Sequence, residues 1–154
     1  MCTTSDPYHE EYVLASIAAG KYVFCEKPLA PKADACKRIV EAERKAGKKL
    51  VQVGFMRRYD RGYRQVKELI DSGVIGDVVH VTHTENVAYW HYAHSYVRGN
   101  WRRAEESSPM ILAKSCHDMD IIRWLMGVPC ETMREVLKTF KGVEHRIETV
   151  REVD

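Results

Sequence analysis

The spacing of apolar positions divides the chain into two regions of different rhythm. Over residues 7–19, Val13 and Ile17 stand one helical turn apart, Pro7 suits a first turn and Gly20 a stop, which predicts a helix. Tyr22-Val23-Phe24-Cys25 is a short run of the kind that forms a buried strand. From about Lys32 to Ala46, the positions Ala35, Ile39, Ala42 and Ala46 share one helical face, widened by Cys36 and Val40, and Gly47 suits the C-terminal cap. Leu50 to Phe55 predicts a second buried strand. Helix, strand, helix, strand is the order of a parallel sheet with crossover helices.

The rhythm changes near residue 56. A helix is predicted at about 60–72, with Tyr63, Val66 and Ile70 on one face and Gly73 at its end. Val78 to Val87, rich in valine and threonine, predicts a long strand. Residues 88–107 are aromatic, histidine-rich and basic without a period, and read as a loop or irregular strand. Pro109 opens a long helix to about Met126, with Leu112, Cys116, Met119 and Met126 as its apolar face and Gly127 and Pro129 beyond it. Glu131 to Asp154 is heavily charged, helix-like and then strand-like.

Composition narrows the function classes. The 154 residues carry 24 basic and 22 acidic side chains, a net charge of +2, which gives no reason to expect nucleic acid or an acidic membrane as partner. No apolar run approaches a membrane span, and no signal-peptide pattern opens the chain. The five cysteines are scattered, without a CxxC pair, which suits a reducing cytoplasm better than a disulfide framework or a zinc site.

Three segments carry candidate chemistry. Glu26-Lys27-Pro28 follows a strand, and ligands of open parallel sheets bind beyond the strands' carboxyl ends. Lys27 there is either a crevice-facing ammonium that holds or relays a hydroxyl proton, or a solvated turn lysine; from the residues alone the second is favoured. On the helix from Pro109, Lys114, His117 and Asp120 are spaced by three, which fits either an acid/base histidine between a cation and a carboxylate or a surface salt-bridge stripe. Tyr89 to Arg103 holds His91, His94, Arg98, Asn100 and Trp101, suited to a polyhydroxylated ligand or to packing. His91 and His94 lack a carboxylate partner, so no metal is expected. His80 and His83, on opposite faces of the predicted strand, receive no function.

Taken together, Thr3-Thr4-Ser5-Asp6-Pro7-Tyr8-His9, AAGKYVFCEKPLA at 18–30, LVQVGFMRRYD at 50–60, SGVIGDV at 72–78 and SCHDMDIIRWLMG at 115–127 resemble the Gfo/Idh/MocA oxidoreductases. The resemblance implies an α/β fold: the C-terminal part of a Rossmann dinucleotide domain over 1–56, then part of an α+β domain with an open, mainly antiparallel sheet over 57–132. It implies hydride transfer between NAD or NADP and a sugar, inositol or related hydroxyl carbon. By that resemblance Lys27 contacts the reacting hydroxyl and His117 exchanges its proton, while Thr3, Thr4, Glu26 and Lys27 lie at the nicotinamide ribose. Arg98, Asn100, Trp101 and Lys114 are the expected further substrate contacts.

Three departures qualify these expectations. Four residues before His117, where the family often has an acid, stands Ala113. None of the nine glycines are separated by a single residue, so the sequence has no GxGxxG phosphate cradle. The segment 133–154 is similar instead to the start of the carboxyl-terminal domain of Mur-type peptidoglycan amino-acid ligases. The expectation is therefore an N-terminally truncated dehydrogenase fragment, inactive alone, with completion by another chain as a second reading. The alternative of a different class is a non-catalytic module that forms a homo-oligomer through its open sheet.

Overall fold

The computed structural model describes residues 1–103 and 106–139. Helices α1 (His9–Ala18) and α2 (Ala33–Ala46) alternate with the short strands β1 (Val23–Cys25) and β2 (Val51–Val53). The strands pair in parallel, Val23 opposite Val51 and Cys25 opposite Val53, with α2 as the crossover between them. The sheet continues past β1 through Cys2, whose N–H donates to the Phe24 carbonyl at 2.7 Å while its own carbonyl accepts from Glu26 N–H at 3.0 Å.

The sequence pattern explains the packing. Val13 and Ile17 of α1, and Ala35 and Ile39 of α2, are the buried apolar positions of their helices. With Cys2, Val23, Cys25 and Leu50 they form the core, edged by Leu14, Leu29, Ala42 and Val51. Gly47 closes α2 at φ 65°, a left-handed conformation that carries no side-chain penalty in glycine. Glu43 reaches from α2 to the next strand, its carboxylate accepting from Leu50 N–H and Val51 N–H, each at 2.8 Å.

Beyond β2 a 3-10 turn (Met56–Tyr59) leads into α3 (Arg61–Asp71), capped by the Asp60 carboxylate, which accepts from Gly62 N–H and Tyr63 N–H. The long helix α5 (Met110–Met126) ends at Gly127, and α6 spans Cys130–Thr139.

Two expectations are corrected here. Residues 78–87 form no strand, and the two-stranded parallel sheet is the only sheet among the described residues; no open antiparallel sheet is seen there. Valine and threonine enrichment measures fit to a pleated, half-buried surface, and a strand also needs a ladder partner. Val79 instead lies 94% exposed. Residues 88–107, expected as a loop or irregular strand, contain the short helix α4 (Tyr89–Tyr92) running into a π-helical turn (Ala93–Val97). The expected strand-like end of the tail, from residue 140, lies outside the described residues.

Candidate active site

The parallel ladder places three carboxyl ends side by side: Thr3-Thr4 after Cys2, Glu26-Lys27 after β1, and Gly54-Phe55 after β2. The buried ring of His9 bridges the first two, with Nδ1 2.8 Å from the Pro28 carbonyl oxygen and Nε2 3.0 Å from that of Thr4. The third fits closely because residue 54 is glycine: a Cβ there would stand 3.0 Å from Phe24 Cζ and 3.1 Å from Glu26 Oε2. The Lys27-Pro28 peptide bond is cis.

Helix α5 closes the site from the other side. Its buried positions are Ala113 and Ile121, so the inward stripe runs 113, 117, 121 rather than through the expected face, of which Met119 is 38% exposed. His117 therefore sits half-buried, its ring edge-on to Phe55 with 6.1 Å between centroids. Burial, and then the Lys27 and Arg57 cations, hold its pKa below the ordinary histidine value. Its Nδ1 is buried and has no hydrogen-bond partner among the described residues. Lys27 Nζ donates to the Ala113 carbonyl at 2.7 Å, joining the loop after β1 to the first turn of α5. Lys114 also has a lowered pKa, from burial first and from Lys27 second.

Lys27 and Lys114 line a cavity of about 190 Å³ together with Asp6, His91, Ser95, Tyr96, Trp101 and Ala113. That space suits one small molecule, being below the ~300–1,000 Å³ of pockets for drug-sized ligands. Of the expected substrate contacts, Lys27, Lys114 and Trp101 line it; Arg98 and Asn100 are exposed and do not. His117 stands beside it on the next turn of the inward stripe. Thr3 and Thr4 are exposed and Glu26 is half-buried at the carboxyl ends.

The expected Lys114/His117/Asp120 stripe is not a unit. Asp120 forms a paired ion bridge with Arg58, Nε to Oδ2 at 2.8 Å, because the 3-10 turn after β2 brings that guanidinium against α5. The carboxylate near His117 is its chain neighbour Asp118. Asp118 accepts from Arg57 at 2.6 Å and lies 2.9 Å from His83 Nε2, while Arg57 also pairs with Glu85 at 2.5 Å. Burial pushes the Asp118 carboxyl up, but the His83 and Arg57 hydrogen bonds outweigh it and hold the pKa below the usual value. His83, Glu85 and Asp118 converge as a metal site's ligands would, yet the Arg57 cation already supplies the neutralising charge. His83, to which the sequence assigned no role, thus belongs to the network beside His117. Asp6, Arg57 and Asp118 were also missed; Asp6 before Pro7 reads as an ordinary turn residue, and no sequence signal marks its burial.

Two family models match the chain in order: the NAD-binding Rossmann-fold oxidoreductase family over residues 1–55, and the GFO/IDH/MocA C-terminal domain over 63–153. The chain belongs to the GFO/IDH/MocA oxidoreductase family. The second match runs through 133–153, so the GFO/IDH/MocA domain, and not a Mur-type ligase segment, accounts for that tail. An inositol 2-dehydrogenase of Pseudomonas fluorescens is 42% identical over 94% of this chain and 40% of its own length. The chain thus spans about two fifths of the curated GFO/IDH/MocA relative. Among solved structures, myo-inositol dehydrogenase of Lactobacillus casei, in complex with NAD(H) and myo-inositol, is 35% identical, with a TM-score of 0.59 over 79% of this chain and 33% of that one. An NAD-binding oxidoreductase of Klebsiella pneumoniae gives a TM-score of 0.71 at 28% identity over 81% of this chain and 33% of that one. No helix of the described residues is long and apolar enough to cross a membrane.

Proposed function

We propose that this chain carries the substrate and nicotinamide end of an NAD-dependent dehydrogenase acting on inositol or a related polyol. The observation that carries this reading is the convergence of Lys27, from the loop after β1, with Lys114 of α5 at one small cavity, with His117 one turn further along the same helix. Lys27 donates a hydrogen bond to the oxygen of the reacting hydroxyl and favours its alkoxide. His117, kept neutral by burial and neighbouring cations, accepts the hydroxyl proton. Glu26, beside Gly54 at the carboxyl ends, offers acceptor oxygens to ribose hydroxyls, with Thr3 and Thr4 on the same edge. The chemistry supplied by a bound oxidised nicotinamide is acceptance of the hydride from the hydroxyl carbon. Dinucleotide phosphates have no assigned partner among these residues.

The test is titration of the 154-residue chain with myo-inositol, followed by NMR at the Lys114, His117 and Trp101 resonances. The reading expects saturable shifts that Lys27→Met abolishes. Shifts absent at the solubility limit, or unchanged in Lys27→Met, would overturn it.

An interaction role is favoured by a separate observation. Val66, Leu69, Val74, Ile75 and Val79 are all exposed, on and just after α3. Exposed apolar side chains grouped within one short stretch suit association with a second copy. Sedimentation as a strict monomer at high concentration would count against that role.

A further inference from the structure

Asp6 is the one acidic residue of the cavity lining, and its position is unusual. It is 6% exposed, yet its Oδ2 is buried without a hydrogen-bond partner among the described residues. A buried carboxylate oxygen left unpaired costs folding free energy, so its persistence in a cavity calls for a donor that arrives from outside. Neither lysine of the cavity serves: among the described residues, Lys27 Nζ donates to the Ala113 carbonyl and no ion pair joins Asp6 to Lys27 or Lys114. The remaining walls are the Tyr96, Trp101 and His91 rings, Ser95 and Ala113. Tyr96, which shares the lining with Asp6, has its phenol pKa raised, by burial first and by the Asp6 charge second.

We propose that Asp6 is a substrate-binding residue that accepts a hydrogen bond from a hydroxyl of a vicinal polyol whose neighbouring hydroxyl is held by Lys27 or Lys114. The cavity then presents an acceptor on one wall and ammonium donors on another. A diol, which both donates and accepts at adjacent carbons, satisfies both; a simple alcohol satisfies one. The 3-10 turn Asp6–Tyr8 is fixed by its own chain: Tyr8 N–H donates to the Ser5 carbonyl at 3.0 Å, and His9 follows at once with its bridge to Thr4 and Pro28. Asp6 is thereby positioned before any ligand binds, which reduces the ordering cost of binding.

This inference rests on the polyol reading above, and the experiment separates the two. The full chain and its Asp6→Asn, Asp6→Ala and Lys27→Met variants are titrated with myo-inositol by NMR, and the ligand-free Tm of each is measured. Asp6→Ala is expected to weaken binding at least about tenfold, the size of a lost hydrogen bond to a charged group. Asp6→Asn, which keeps an acceptor oxygen without the charge, is expected to fall between. A structural carboxylate would lower the Tm when replaced; here both Asp6 variants are expected to match or exceed the parent, because an unpaired buried carboxylate is removed. Parental affinity in Asp6→Ala beside lost binding in Lys27→Met overturns the assignment of Asp6 and leaves the dehydrogenase reading standing. Loss in the Asp6 variants with binding retained in Lys27→Met does the reverse. A marked fall in Tm in both Asp6 variants makes the residue structural and overturns the proposal. Absence of binding by the parent chain overturns both readings.

Discussion

Lys27 and Ala113, 86 residues apart, meet through a 2.7 Å hydrogen bond from the lysine ammonium to the backbone carbonyl. The contact needs no side chain at position 113, which explains how an alanine serves there. It also brings the ammonium close enough to His117 to depress that histidine's pKa. Lys27→Met is therefore expected to raise the His117 pKa toward the ordinary value without reaching it, since burial and Arg57 remain. Histidine ring NMR against pH reads this directly; an unmoved or lowered value would show that Lys27 does not act on His117.

Stability should fall with acid in two stages. His117 has a folded pKa below its unfolded value of about 6.5, so between the two the unfolded chain binds more protons. Its contribution is thus lost as pH falls through about 6.5 toward the folded value. Asp118 also has a lowered folded pKa; its contribution is complete above the ordinary carboxylate value and is lost as pH falls through the folded one. Urea melts across pH should show both stages, and Asp118→Asn should shrink the second, leaving the smaller share of the exposed Glu10 and Asp34 carboxylates.

Gly99 lies in the turn after the π-helical segment. A Cβ at that position would clash with the His94 carbonyl oxygen, a backbone atom rather than the end of a flexible side chain. Gly99→Ala is expected to cost about 1–3 kcal/mol by urea denaturation, the range of overpacking substitutions. It should also disturb Trp101 fluorescence, since the turn carries that ring to the cavity.

The Asp60 cap of α3 makes a smaller, separate prediction. Its carboxylate satisfies the Gly62 and Tyr63 amides at 2.8 and 3.1 Å. Asp60→Ala should lower stability by about 0.5–2 kcal/mol, while Asp60→Ser should recover most of it.

The cysteines should differ sharply toward alkylation. Cys130 is exposed, whereas Cys2 and Cys25 are buried and burial pushes the Cys25 thiol up to about 12. Iodoacetamide with mass spectrometry should label Cys130 first and Cys25 only in denaturant. Early labelling of Cys25 would show that the core opens readily.

What could be read from the sequence was whatever depends on local period. Val13 with Ile17, and Ala35 with Ile39, predicted the faces of α1 and α2, and the apolar runs around Val23 and Val51 predicted the two strands. Contacts made between distant segments were not legible. Asp120 stands three residues from His117, but the partner that takes it, Arg58, arrives through a turn whose direction no periodicity encodes. His83 and Asp118 meet across 35 residues for the same reason. The stretch 78–87 has the composition of a strand, but a strand is decided by what lies beside it. The burial of Asp6 is likewise a product of how α5 and the π-helical turn close over the carboxyl ends.

The His9 bridge gives the site a mechanical property. One aromatic ring contacts the backbone of both the segment that carries Asp6 and the loop that carries Lys27, so these two sides of the cavity share a single buried support. Replacing that ring should therefore loosen the Asp6 and Lys27 sides of the cavity together.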